Sequence, residues 1–188
     1  MSAVATVSER VNGVNTSTIH KLVEAIQRDP ANAQTRWGAT TRWQTGAVTE
    51  TEVVACEVSG RRLARNFRLR TDEPTELGGT NLHANPQEYL MAAFNSCMMV
   101  GYVALSSLEG IELESVEIES SGDIDLRGFL GLDTNVKPGY DSIHYTVRIK
   151  GNGTPEQFQK IHQTVMATSP NRFNIANPIK LTSDLRVA

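Results

Sequence analysis

The sequence predicts an α+β domain in which mostly antiparallel sheet packs around one long buried helix. Three observations lead there. Tyr89 to Leu108 is the only long stretch without a charge. The segments before and after it alternate apolar and polar residues with period two, as half-buried strands do. Two shorter segments carry apolar residues at helical spacing. After a first short helix, the expected order is three strands, the central helix, two strands, a helix and a last strand, with helices grouped against antiparallel sheet. At 188 residues, 39% hydrophobic and 21% charged, the chain has the size and composition of one core-forming domain.

The elements follow in order. Residues 1–15 are polar and expected to be mobile. Ile19, Leu22, Val23 and Ile26 then recur at helical spacing until Asp29-Pro30 stops them. TRWGATTRWQTG and AVTETEVVACEV read as two strands around Gly46, and SGRR turns into a third, RLARNFRLR. Residues 71–84, with Pro74 and the Gly78-Gly79 pair, form a loop leading into the central helix. Beyond Gly110, IELESVEIESSGDIDL and YDSIHYTVRIKG make a long antiparallel pair. Thr154-Pro155-Glu156-Gln157 is a capping box for a helix that buries Phe158, Ile161 and Val165 and ends at Pro170. PIKLTSDLRV alternates as a final strand.

The central helix is bounded by strong signals. Asn85 is the N-cap, Pro86 suits the first position, Glu88 at N3 closes a capping box, and Gly110 takes the C′ turn. Leu90, Met91, Phe94, Met98, Met99, Val100, Val103 and Leu105 put apolar surface on nearly all sides, so burial is expected from several directions. Small residues Ala92, Ala93, Ser96, Gly101 and Ala104 allow another helix close. One small sheet and two amphipathic helices cover such a rod only in part, and a second copy in a closed two-fold is expected to cover the rest. The length would suit a membrane span, but Asn95, Ser96, Gly101, Ser106 and Ser107 dilute it and no Lys/Arg cluster flanks it.

Composition excludes several partners. Eighteen basic against 21 acidic residues, net -3, give no whole-chain attraction for nucleic acid or anionic membrane. Arg61, Arg62, Arg65, Arg68 and Arg70 form a local basic strand able to hold a carboxylate or phosphate. Without interleaved aromatics beyond Phe67 it is no nucleic-acid platform. Asp123 and Asp125 share a solvent face while His83, His144 and His162 are scattered, so neither a metal nor a cofactor is expected. Two cysteines, Cys56 and Cys97, exclude a disulfide framework or zinc finger, and the N-terminus lacks an apolar run. Together these favour a reducing cytoplasm.

A cysteine is reactive when its thiolate is populated and reachable, which takes a helix N-terminus, a cation or a metal. Cys97 stands eleven residues after Pro86, about 16 Å along the axis, whereas the helix dipole fades beyond the first turn. An arginine would have to serve. By spacing alone the structural reading of Cys97, a small buried hydrophobe, leads. Cys56 shares a strand face with Val54 and Val58 and is also read as structural.

ELGGTNLHANPQEYLMAAFNSC, residues 76–97, resembles the OsmC/Ohr family, in which a Gly-Gly loop and an Asn-Pro-Glu helix start precede a cysteine on a buried helix. The resemblance spans roughly residues 36–188, leaving residues 1–35 as a polar segment with a short amphipathic helix. It implies intertwined homodimers with thiol sites at the subunit interface, and reduction of organic hydroperoxides through the cysteine matching Cys97. Departures are specific. Ser169-Pro170 stands where the family has a Cys-Pro motif carrying its second thiol. Gln87 stands where the hydroperoxide-reductase branch has its acid; Glu88, one place on, is turned by about 100° and lies about 13 Å from Cys97 along the axis. Glu88 is therefore read first as a cap and second as a catalytic acid. Arg42 lies nearest the family's activating arginine, with Arg68 and Arg70 as alternatives. Residues 122–140, GDIDLRGFLGLDTNVKPGY, resemble a subgroup that also lacks the second cysteine.

The expected activity is a thiol-dependent peroxidase acting through Cys97, with hydroperoxide as substrate and an external thiol, or less directly Cys56, as reductant. The alternative is a non-catalytic binder that keeps an apolar interface pocket for a small ligand.

Overall fold

The computed structural model describes residues 10–187, which fall into two compact units meeting in sequence at Leu90 and Met91. Of the polar N-terminal stretch, residues 1–9 lie outside the described residues. Residues 10–15 are ordered into a hairpin: Arg10–Val11 (β1) pairs antiparallel with Val14–Asn15 (β2). The turn is Asn12-Gly13, both at positive φ, the pairing that suits a two-residue hairpin. Asn15 then caps α1, Thr16–Arg28, by accepting from the Thr18 N–H. Asp29 ends that helix and caps a short 3-10 turn, Pro30–Ala33.

The expected strand from Thr35 to Gly46 is broken in two, Thr35–Arg36 (β3) and Thr40–Thr45 (β4). Both lie antiparallel along Val48–Val58 (β5), whose other edge carries Arg61–Thr71 (β6). Ser59 and Gly60 at positive φ make the β5–β6 turn. The β5–β6 register sets Glu50 opposite Arg70 and Glu52 opposite Arg68. A bulge between Val53 and Ala55 interrupts the ladder.

Pro86–Leu108 (α2) starts in the first unit and continues through the second. Its caps are those the sequence specifies. Asn85 Oδ1 accepts from the Glu88 N–H at 2.9 Å while Glu88 Oε2 accepts from the Asn85 N–H at 2.7 Å, a reciprocal capping box. At the far end Gly110 N–H reaches Ser107 O and Ile111 N–H reaches Ser106 O, with Gly110 at φ 72. This is the paired bonding of a Schellman turn, and it directs Ile111 into the core.

In the second unit Leu113–Ser121 (β7) pairs antiparallel with His144–Gly151 (β8). A single helical turn, Leu126–Phe129 (α3), sits between them in sequence, and Pro155–Thr168 (α4) follows behind a Thr154–Gln157 capping box. Phe94, Met98 and Tyr102 of α2, Ile111, and Ile161 and Val165 of α4 form the buried cluster, with Val116, Ile118, Tyr145, Val147 and Ile149 packed against it. Phe94 meets Tyr145 edge to face at 5.1 Å. Gly101 lets α2 approach α4 closely: a Cβ there would stand 3.2 Å from the Val165 side chain, a tight contact.

Two expectations are corrected. Pro170 does not simply end a helix: Ser169 breaks the backbone and Pro170 opens another, Pro170–Ala176 (α5). The final strand is absent among the described residues. The alternating Ile179, Leu181, Leu185 and Val187 are exposed and make no ladder. Alternation makes a segment fit for a sheet, but only a paired edge makes it a strand, and it pairs with none among the described residues.

Candidate functional site

The Gly-Gly loop before α2 is built around one carboxylate. Asp72, fully buried, accepts from Thr80 Oγ1 at 2.5 Å and from the Thr80 and Leu82 N–H groups at 3.0 and 3.1 Å. The Thr80 hydroxyl is the chief cause of an Asp72 pKa held down at about 2, and the backbone donors add to it against the cost of burial. Gly78 turns at φ 81, and a Cβ on Gly79 would lie 1.8 Å from Glu73 O. Both glycines are therefore required, one for conformation and one for space. Asp72 has no partner on Oδ1 among the described residues. No sequence pattern singled it out, since an isolated Asp at a strand end looks like any turn residue.

Cys97 lies on α2, free and half-buried, whereas Cys56 is free and buried on β5. Ser169 donates its hydroxyl to Cys97 Sγ at 3.6 Å and is itself buried. The positioning is local in origin: proline at 170 prevents α4 from continuing, so residue 169 leaves the helix extended and turns its side chain back toward α2. Asn171 Nδ2 donates to Ala93 O at 2.8 Å, and Arg172 Nη1 to Met166 O at 2.8 Å, fixing the start of α5. The structure thus joins two residues, Cys97 and Ser169, that are 72 positions apart.

The other candidates are engaged elsewhere. Arg42 Nη1 pairs with Glu52 at 2.6 Å. Arg68 contacts Glu52 at 3.1 Å and Glu50 at 3.6 Å, and Arg70 contacts Glu50 at 2.9 Å. All three guanidinium groups are more than half exposed, so each pair is worth under about 1 kcal/mol and each arginine can be recruited at small cost. Arg65 lies over the Phe67 ring at 4.6 Å. Glu88 closes the α2 cap through Oε2. Among the described residues no cluster of three His, Cys, Asp or Glu could hold a metal.

A second polar pair was not read from the sequence. Tyr102 Oη and His162 Nδ1 stand 2.5 Å apart, with rings near parallel at 6.0 Å. By sequence His162 is one of several scattered histidines, and nothing singles out Tyr102 within the central helix.

The sequence model of one family, described as OsmC-like protein, matches residues 79–184. The chain belongs to the OsmC-like family. That span holds Gly79, Glu88, Cys97 and Ser169, and it excludes Arg42, Arg68 and Arg70. Solved structures agree on the fold of this OsmC-like protein. An OsmC-like protein from Mycoplasma pneumoniae superposes with TM-score 0.59 at 11% identity, covering 75% of this chain and 87% of that one. An osmotic stress induced and detoxification response protein from Psychrobacter arcticus gives 0.55 at 15% identity, covering 71% and 84%. An OsmC-like protein of unknown function from Vibrio cholerae gives 0.52 at 13% identity, covering 73% and 91%. No curated protein matches the chain significantly.

Proposed function

We propose that this OsmC-like protein is a one-cysteine, thiol-dependent peroxidase acting through Cys97 on organic hydroperoxides or hydrogen peroxide. The observation that supports it most is the Ser169 hydroxyl at 3.6 Å from the sulfur of the half-buried Cys97. A reachable thiol is held beside a buried hydroxyl donor, at the place where the family resemblance calls for a second thiol. In the proposed cycle the Cys97 thiolate attacks one peroxide oxygen. An S–O bond forms, the O–O bond breaks, and the departing alkoxide takes a proton to leave as alcohol. Cys97 is left as sulfenic acid. An external thiol then attacks that sulfur, releasing water and forming a mixed disulfide, which a second thiol reduces. Arg42 is assigned, by resemblance, to stabilise the thiolate, and Glu88 to the helix cap, with a charge role tested below.

Two further parts belong to the same reading. The working unit is a homodimer, supported by the incomplete cover of α2: only 28% of its most apolar window is buried within this chain, and Val100 is 67% exposed. By length and a mean hydropathy of 1.4 that helix could also cross a membrane. The polar Ser106 and Ser107 buried in it, and its family, favour a partner chain instead. The location is a reducing cytoplasm, in keeping with two unpaired cysteines.

A non-catalytic binding role is the second reading. It is favoured by the absence of a thiol at residue 169 and by the ion pairs already made by Arg42, Arg68 and Arg70. Stopped-flow mixing with cumene hydroperoxide separates the two. A peroxidase should lose its Cys97 thiol far faster than free cysteine does, and Cys97→Ser should consume no peroxide. Loss at the rate of free cysteine leaves only the binding role.

A further inference from the structure

Beside the Tyr102–His162 pair, the second unit carries a cleft of about 550 Å³ that the peroxidase reading does not use. Tyr102 follows Cys97 by five positions, about 140° round the helix, so this cleft opens on a different side of α2 from the thiol. Tyr145, Val147 and Ile149 of β8 and Phe158 and His162 of α4 line it, and no charged side chain does. We propose that the cleft is a second binding site, separate from Cys97, for a planar, uncharged ligand bearing a carbonyl acceptor.

Tyr102 calls for an acceptor in the ligand through its histidine partner. It is 1% exposed, and its hydroxyl has His162 Nδ1 as partner. Burial, with Tyr145 adding to it, pushes the phenol up to about 12, so it stays protonated at neutral pH. If His162 donated from Nδ1, the Tyr102 hydrogen would be left buried without an acceptor, which costs more than the reverse arrangement. Tyr102 therefore donates to Nδ1, and the imidazole N–H is on Nε2. A cleft-lining histidine in that tautomer is a fixed donor, and a carbonyl oxygen is its complement. The aromatic side chains of Phe158 and Tyr145 in the lining suit a flat body. With no cation in the lining, a carboxylate would exchange its hydration for neutral hydrogen bonds alone and keep an unpaired charge, so the ligand is neutral. The volume lies in the range of small-molecule sites.

The test uses the whole protein and 6-propionyl-2-dimethylaminonaphthalene, a neutral, flat aryl ketone whose emission shifts to the blue out of water. It should bind with saturable blue-shifted emission, and 2-naphthoate, flat but anionic, should bind at least tenfold more weakly. His162→Leu keeps the volume and removes the donor, and should raise Kd about tenfold, one hydrogen bond's worth. Should that variant fail to fold, the wild-type protein still decides. Nuclear Overhauser contacts should run from the probe to the His162 and Phe158 rings, and ¹⁵N spectra should show the Nε2–H tautomer. Several results would overturn the proposal: no binding, binding unchanged in a folded His162→Leu, contacts to other residues, or an Nδ1–H tautomer. A cleft filled by a second copy of the chain would appear as no binding.

Discussion

Ser169 tests the chemistry of Cys97 without disturbing the fold. Its hydroxyl already lies 3.6 Å from the sulfur, so Ser169→Cys should place a thiol in bonding reach after a small side-chain rotation. Peroxide treatment of that variant should give an intramolecular disulfide at Cys97, seen as the loss of two titratable thiols and a tryptic cross-link. The wild-type protein should instead hold sulfenic acid and pass to sulfinic acid under excess peroxide, read by mass spectrometry. A fast Cys56–Cys97 disulfide in the wild type would contradict this. Asp72 sets a pH dependence of a different kind. Its folded pKa, about 2, lies below the ordinary value of 3.8, so the stabilisation it provides is complete above the unfolded value and is lost as pH falls through about 2. Asp72→Asn should therefore lower the urea midpoint at pH 7, and the gap to wild type should narrow as pH drops from about 4 to 2. A gap independent of pH would show that packing, and not charge, ties the loop. Cys97 and Glu88 were legible as residues because local motifs frame them. The Cys97–Ser169 contact was not, because only folding brings together residues 72 positions apart.

At the scale of elements, the ends of α2 are governed by adjacent residues. Asn85→Ala should cost about 1 kcal/mol by removing the acceptor for the Glu88 N–H. Glu88→Gln should cost much less, because an amide can close the same box. It is also the informative variant for catalysis: a peroxidase rate unchanged in Glu88→Gln assigns the residue to the cap alone, and a drop of tenfold or more assigns its charge to the site. Further along, Ile161 on α4 is 1% exposed within the core cluster, and Ile161→Ala should lower stability by about 2–5 kcal/mol in a denaturant titration. These elements were legible because capping and helical periodicity are written in neighbouring residues. The Asn12-Gly13 hairpin carried an equally local signal and was hidden by reading the N-terminus as uniformly polar.

At the scale of the molecule, the exposed apolar surface needs an account. Trp43 is 72% exposed on β4, and Leu181 is 89% exposed in the C-terminal segment, along with Val100 on α2. Surface of this kind is expected to be covered by a second copy, with an obligate interface above about 2,000 Å². Sedimentation equilibrium at low micromolar concentration should give a dimer that does not dissociate without unfolding. A stable folded monomer would remove the proposed interface.

By itself the sequence determined the α+β class, both ends of the central helix, the β5–β6 hairpin, the β7 and β8 strands and the family. Each depends on residues close in the chain or on a motif read in one stretch. Tertiary structure decided the rest. It paired Cys97 with Ser169, engaged Arg42 with Glu52, enclosed Asp72 in its loop, joined Tyr102 to His162, and left the last alternating segment without a ladder. The reason is that a side chain's partner is chosen by distance in space. Periodicity and caps, which act over a few residues, carry no information about which distant surface will arrive there.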